Sequence, residues 1–206
     1  IPTAISGGLV YSRKKFIIYK ASILCALIGS LFCFLGARIT AYLTGWQMMF
    51  IFTAVLFLIA FRFLYYGKRA GSEEEKFTTI DFSAKAIVIL LAIGAVVGFI
   101  SGFLGIGGGI IFVPLLVIIF KISIKQAIGT SLMFISLQAI PGSVEHYLLG
   151  HVDIALMLLI ILGSIFGAQL GARFTIKAKE RNVRIAFAIF LFLLAMILGL
   201  FEFFRL

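Results

Sequence analysis

Six uncharged apolar stretches divide this chain: Ala21 to Ala37, Ile39 to Phe61, Ala86 to Phe120, Gln126 to Val144, Ile154 to Ala172 and Ile185 to Phe201. A helix needs about 20 apolar residues to cross the hydrocarbon of a bilayer, and most of these stretches are near that length. Runs of Leu, Ile, Val and Phe gain roughly 0.3 to 0.6 kcal/mol per residue on insertion, whereas a central Arg costs roughly 2.5 to 3.5. With 63% hydrophobic and 13% charged residues, a soluble fold has too little polar surface to cover this chain. The expected class is all-α: a polytopic transmembrane helical bundle whose solvent is the lipid bilayer. The spans are named here by their cores: Ala21 to Ala37, Gly45 to Phe61, Ala86 to Leu104, Ile154 to Ala172 and Ile185 to Phe201. Two shorter pieces, Ile110 to Phe120 and Gln126 to Val144, lie between the third and fourth.

The net charge of +10 does not point to nucleic acid, because the Lys and Arg lie between apolar runs instead of forming a surface patch. They fit an alternating topology. If the first span enters from the cytoplasm, Arg13, Lys14, Lys15, Lys20, Arg62, Lys68, Arg69, Lys76, Lys85, Lys121, Lys125, Arg173, Lys177, Lys179, Arg181 and Arg184 face the cytoplasm, and Arg38 and Arg205 face out. That is 16 against 2, and the reverse orientation inverts the ratio. Gly67 to Lys85, with Glu73-Glu74-Glu75 and several cations, reads as a cytoplasmic linker (67–85). Trp46, Tyr65, Tyr66 and Tyr147 read as interfacial anchors. Glu145, His146 and Asp153 read as interfacial residues. Cys25 and Cys33 share one apolar helix with no neighbouring ligand, and so read as small packing residues with no metal role.

An internal repeat is visible. The string GSLFCFLGARIT, Gly29 to Thr40, recurs as GSIFGAQLGARFT, Gly163 to Thr175, with one residue inserted. Each copy lies late in a long helix and is followed by another. The charge pattern brings one helix in from the cytoplasm and the other from outside, so the halves are expected to be inverted, a transporter device. Residues 1–66 then read as the C-terminal part of a first repeat and 86–206 as a second. The chain begins Ile1-Pro2, shows no signal-peptide pattern, and reads as a fragment, with about 50 first-repeat residues expected before Ile1 from the repeat offset.

Gly98 to Leu116, GFISGFLGIGGGIIFVPLL, is the most informative segment. Five glycines from Gly102 to Gly109 and then Pro114 disfavour a continuous helix, since Gly costs about 1 kcal/mol and Pro about 3 in a helix interior. The helix is expected to break near Gly105 to Gly109. Opened backbone at membrane depth is tolerated where it is buried in protein or lines a watery cavity. A fresh helix from Ile110 points its free N–H groups and positive dipole end into that space, which suits a small anionic solute. Thr130 and Ser131 add hydroxyls beside Gly129, Ser136 and Gln138 follow, and Pro141-Gly142 reads as a second interruption. The glycines also have a packing reading, because small residues let helices approach closely. No Gly-Lys-Ser/Thr follows them, so this is not a nucleotide loop, and no cofactor is called for.

GFISGFLGIGGGIIFVPLL, AIGTSLMFISLQAIPGSVEHYLLGHVD and GSIFGAQLGARF resemble the second half of the TauE/SafE sulfite-exporter family, over Ala86 to Leu206, with a weaker echo over Ile1 to Leu64. The resemblance implies a bacterial or archaeal cell-membrane permease for small sulfur-containing anions such as sulfite, sulfonates or thiosulfate. Gly105, Gly107, Gly108, Gly109, Thr130 and Ser131 are the expected substrate-binding positions. A channel with re-entrant pieces is the alternative. A membrane-embedded enzyme needs paired acid-base groups at membrane depth, which these helices do not offer. No motif speaks to oligomeric state.

Overall fold

The computed structural model describes residues 1–42, 45–69 and 79–203. Among them all regular structure is helical: α1 (Pro2–Arg13), α2 (Tyr19–Ile39) with a short 3-10 turn at Thr40–Tyr42, α3 (Gly45–Arg69), α4 (Ala84–Leu104), α5 (Gly109–Phe120), α6 (Ile124–Leu148), α7 (Ile154–Lys177) and α8 (Glu180–Phe203). Five of these, α2, α4, α6, α7 and α8, are long and apolar enough to cross a membrane. The expected polytopic bundle is what the chain forms.

Several boundaries have local causes. Ser83, Ser123 and Asp153 each place a side-chain oxygen on an N–H of the first turn of α4, α6 and α7, satisfying donors that a helix start otherwise leaves open. Pro2 sits in the first turn of α1, where its missing N–H costs nothing. α1 is a further helix of 12 residues ahead of the spans expected from hydropathy. The break between α4 and α5 falls where the glycines place it, at residues 105–108.

One expectation is corrected. Gln126 to Val144 is not a half-length piece interrupted at Pro141-Gly142, because α6 runs without a break for 25 residues through Pro141. A proline in a membrane helix frees one carbonyl and is accommodated where neighbouring groups or small adjustments satisfy it. α3 continues to Arg69 and α4 starts at Ala84. The Glu73-Glu74-Glu75 run, Lys76 and Arg205 lie outside the described residues, as do the side chains of Arg62, Tyr65, Tyr66, Lys68 and Arg69.

The core lies between α2, α4, α5 and α6. Phe112 and Phe134 stack at 4.2 Å between ring centroids, with Leu90, Leu116 and Ile124 buried in the same cluster. Cys25 and Cys33 are buried on α2, and Cys25 Sγ donates to the Leu90 carbonyl. α2 and α4 meet through small residues: a Cβ added at Gly94, Gly98 or Gly102 would lie under 3.0 Å from the backbone of Cys25, Gly29 or Cys33 respectively. The register ascends together on both helices, so they run parallel with their backbones nearly touching, as small-residue seams permit. Large side chains such as Leu27, Phe50, Leu148, Leu159 and Phe166 face outward, as a lipid-facing surface requires. Trp46 and Tyr147 are exposed.

One end of the bundle collects the cations. Ile18 N–H donates to Thr130 Oγ1 at 3.0 Å, and Lys20 lies over the Phe82 ring ahead of α4. Lys125, 1% exposed, donates to the carbonyl of Ile176 in the last turn of α7, where the helix dipole favours a positive charge. Glu180, at the start of α8, accepts from the Ile124 N–H at 2.7 Å and pairs with Arg184. The start of α2 and the end of α7 therefore lie at the same end of the bundle, so these two helices run in opposite directions. Exchanging α1 with α6, α2 with α7 and α3 with α8 maps the α1–α7 pairing onto α6–α2 and leaves the α1–α6 and α3–α8 pairings in place.

Candidate solute site at the helix break

α4 closes on Gly105, whose φ of +69° and N–H bond to the Ser101 carbonyl end the helix. Gly107 and Gly108, both at φ +73°, turn the chain back. Non-glycine residues lose roughly 1 to 2 kcal/mol in that region, so the loop is built from residues able to take it. The reversal is tight. A Cβ on Gly108 would lie 2.9 Å from Val97 and 3.1 Å from Ser101 Cβ, which places the start of α5 beside the last turns of α4. α5 then runs 12 residues to Phe120, about 18 Å at 1.5 Å per residue. It begins inside the bundle and returns to the cationic end.

No side chain caps α5. Its first backbone bonds are from the Ile111 and Phe112 N–H groups to the Gly108 carbonyl. The N–H groups ahead of them point out of the helix start, with the positive end of the dipole behind them. Gly108 is buried, Gly107 and Gly109 are partly exposed and Gly105 is exposed. An added Cβ on Gly109 would crowd Ile135 at 2.7 Å and Ser131 Oγ at 3.1 Å, so Ser131 lies directly against the opening of α5.

The expected site residues therefore fall into two groups. Gly105, Gly107, Gly108, Gly109 and Ser131 surround the break. Thr130, fully buried, sits on the adjoining face of α6, where its hydroxyl oxygen accepts the Ile18 N–H at the head of α2. Successive residues on a helix point about 100° apart, so these neighbouring hydroxyls serve different elements.

Sequence reasoning gave too little weight to three polar residues at the break. Gln138, 0% exposed, donates from Nε2 to Ser101 Oγ at 2.8 Å and to the Gly107 carbonyl at 3.3 Å. It staples the glycine loop to both α4 and α6, and its Oε1 is buried without a partner. His146 Nε2 donates to the Gly102 carbonyl at 2.8 Å, and its Nδ1 faces His151 Nδ1 at 3.3 Å. Ser101 and Gln138 had a signal: a hydroxyl one turn before the glycines, and an amide inside an apolar helix. Ser136 turns to the Met133 carbonyl of its own helix. Among the described residues no group of three His, Cys, Asp or Glu is placed to hold a metal ion.

The family description "Sulfite exporter TauE/SafE" matches residues 1–198. The chain belongs to that family. Among its relatives, "Probable membrane transporter protein YunE" of Bacillus subtilis (strain 168) is 28% identical over 202 residues, covering 93% of this chain and 74% of the relative. "Probable membrane transporter protein YdhB" of the same organism is 25% identical over 177 residues, covering 84% and 69%. "Probable membrane transporter protein MJ0441" of Methanocaldococcus jannaschii is 27% identical over 185 residues, covering 85% and 66%. This chain thus spans roughly two thirds to three quarters of the length of these family members. No solved structure matches it. The family match extends through α1, α2 and α3 as well as the helix break, so the sequence echo over Ile1 to Leu64 belongs to the same family.

Proposed function

We propose that this chain serves a membrane transporter that moves a small anion across the cell membrane, of the sulfite, sulfonate or thiosulfate class, and that the solute binds at the uncapped start of α5. One observation carries the reading: a helix begins inside an apolar bundle, in a loop of glycines, with no side chain capping its first N–H groups. Gly105, Gly107, Gly108 and Gly109 let an anion approach the backbone closely. Ser131 supplies a hydroxyl beside it, Thr130 holds the adjoining face of α6, and Ser101 with Gln138 fixes the loop. Anions at helix N-termini are favoured by dipole and donors together, and the effect strengthens away from bulk water. The family and the names of its relatives support transport. The chemistry of the opening supports negative charge. In this reading residues 1–66 belong to one transmembrane repeat, 67–85 link the halves on the cytoplasmic side, and 86–206 form the other repeat.

The test is flux in proteoliposomes. Sulfite, thiosulfate and a small sulfonate are offered across a preset gradient, and saturable movement of at least one is expected. Absence of any protein-dependent flux for all three overturns the anion reading, and unsaturating flux in single-channel steps replaces the transporter with a channel. Gly108→Leu drives a branched side chain onto Val97 and Ser101 and should abolish flux while the protein still inserts. Undiminished transport by that variant moves the site elsewhere.

A further inference from the structure

α7 is unlike the other spans in having no buried residue in its most apolar window, against 39% for α2 and 44% for α4. Along its outer face run Gly163, Gly167 and Gly171, one every fourth residue, and a Cβ added at any of them would meet nothing within 4 Å. The repeat supplies the comparison. Gly163, Gly167 and Gly171 stand where Gly29, Cys33 and Gly36 stand in the other copy of the motif. On α2 that same stripe is covered: Gly29 lies against Gly98, Cys33 against Gly102, and Gly36 against the backbone of Phe99 and Phe103. The neighbouring stripe is filled in both copies. α2 packs on α6 and α7 on α1, where Thr3 Oγ1 and Ser164 Oγ lie 2.7 Å apart and Ser6 donates to the Ile165 carbonyl. One of two equivalent helices therefore has both faces engaged, and the other has one.

We propose that the Gly163–Gly167–Gly171 face of α7 docks a further membrane helix that runs parallel to α7 and carries Gly, Ala or Ser at every fourth position, the first-repeat counterpart of α4. The partner's chemistry follows from the engaged copy. α4 meets α2 in parallel register through Gly94, Gly98 and Gly102, and a larger residue at any of these would strike the α2 backbone. Matched small-residue stripes bring backbones close enough for dispersion to hold helices together where lipid supplies no hydrophobic drive. About a quarter of the YunE length and three tenths of the YdhB length lie outside the match with this chain, which leaves room for such a helix in proteins of that size. A second copy of this chain fits less well, because α2 covers its stripe with α4 and not with a helix like itself.

The experiment uses this chain in lipid nanodiscs and a synthetic peptide with the α4 sequence Ala84–Leu104 as the stand-in helix. A donor dye is placed on His151→Cys, just ahead of α7, and an acceptor on either end of the peptide. Energy transfer should be strong to an acceptor on the peptide N-terminus and weak to one on its C-terminus, as parallel docking requires. Gly167→Ile with Gly171→Ile in the chain should weaken association at least tenfold, as should Ile at Gly94, Gly98 and Gly102 of the peptide. These chain positions touch nothing, so the variants keep the native bundle. Absence of association, association indifferent to either set of substitutions, or stronger transfer to an acceptor on the peptide C-terminus overturns the proposal. So does a disulfide-linked dimer of Gly167→Cys that Gly171→Ile abolishes, because it makes a second copy the occupant.

Discussion

At Gly105 the backbone stands at φ +69° and a Cβ would meet nothing within 4 Å, whereas at Gly36 a Cβ would lie under 3.0 Å from the Phe99 carbonyl and the Phe103 amide. The first glycine is required by conformation and the second by space. Gly105→Ala should cost about 1 kcal/mol from left-handed strain, and Gly105→Asn less, because Asn visits that region readily. Gly36→Ala forces α2 away from α4 and should cost about 1 to 3 kcal/mol, the range for overpacking. Thermal unfolding in detergent should rank stability as native, then Gly105→Asn, then Gly105→Ala, with Gly36→Ala lowest. A Gly36→Ala protein as stable as the native one would contradict the tight seam. Gln138 adds a third kind of requirement, since Leu in its place would leave Ser101 and the Gly107 carbonyl without its two bonds. Interhelical bonds in membranes are worth about 0.6 kcal/mol on average, so Gln138→Leu should move the transition little but loosen the loop. Exchange of the Gly105, Ile111 and Phe112 amides with deuterium reads that loosening, since their bonds flank the loop.

Among the elements, α6 shows most clearly what sequence reading reaches and what it misses. The α4–α5 break was legible because five glycines and a proline within one apolar run leave no good helix. Pro141-Gly142 looked like the same signal and was not, because one proline frees a single carbonyl, whereas three glycines at positive φ reverse the chain. Thr130 and Ser131 were legible as hydroxyls near the break, but their division between two elements depends on which helices flank α6. No local pattern encodes that. Thr130 as a structural hydroxyl makes its own prediction. Thr130→Val removes the acceptor of the Ile18 N–H and should destabilise the head of α2 by about 1 kcal/mol, the usual worth of such a bond. Thr130→Ser should restore it. Ser131→Ala leaves that bond intact, so it should change solute affinity with little change in unfolding temperature. Equal stability of the Val and Ser variants at position 130 would remove the cap.

For the whole molecule, the arrangement of charge is the property that one experiment tests directly. The alternating reading assigns 16 of the 18 Lys and Arg to one side, and the described residues place Lys20, Lys125 and Arg184, with Lys177 and Lys179 next to them in sequence, at one end of the bundle through contacts that join α2, α6, α7, α8 and Phe82 ahead of α4. His151, beside the end of α6, lies at the other. Moving cations through the bilayer is disfavoured strongly enough that basic loops stay where the chain is made, so the Lys179 end should face the cytoplasm. Cys25 and Cys33 are buried at 0% and 2% exposure, which makes them poor targets for a charged reagent. Single cysteines can therefore be read against them. In intact cells a membrane-impermeant maleimide should label His151→Cys and leave Lys179→Cys untouched, and permeabilising the membrane should expose Lys179→Cys. The reverse pattern would invert the topology and place the opening of α5 on the opposite route into the membrane. Labelling of both positions in intact cells would mean that the chain adopts both orientations, which an asymmetry of 16 to 2 argues against.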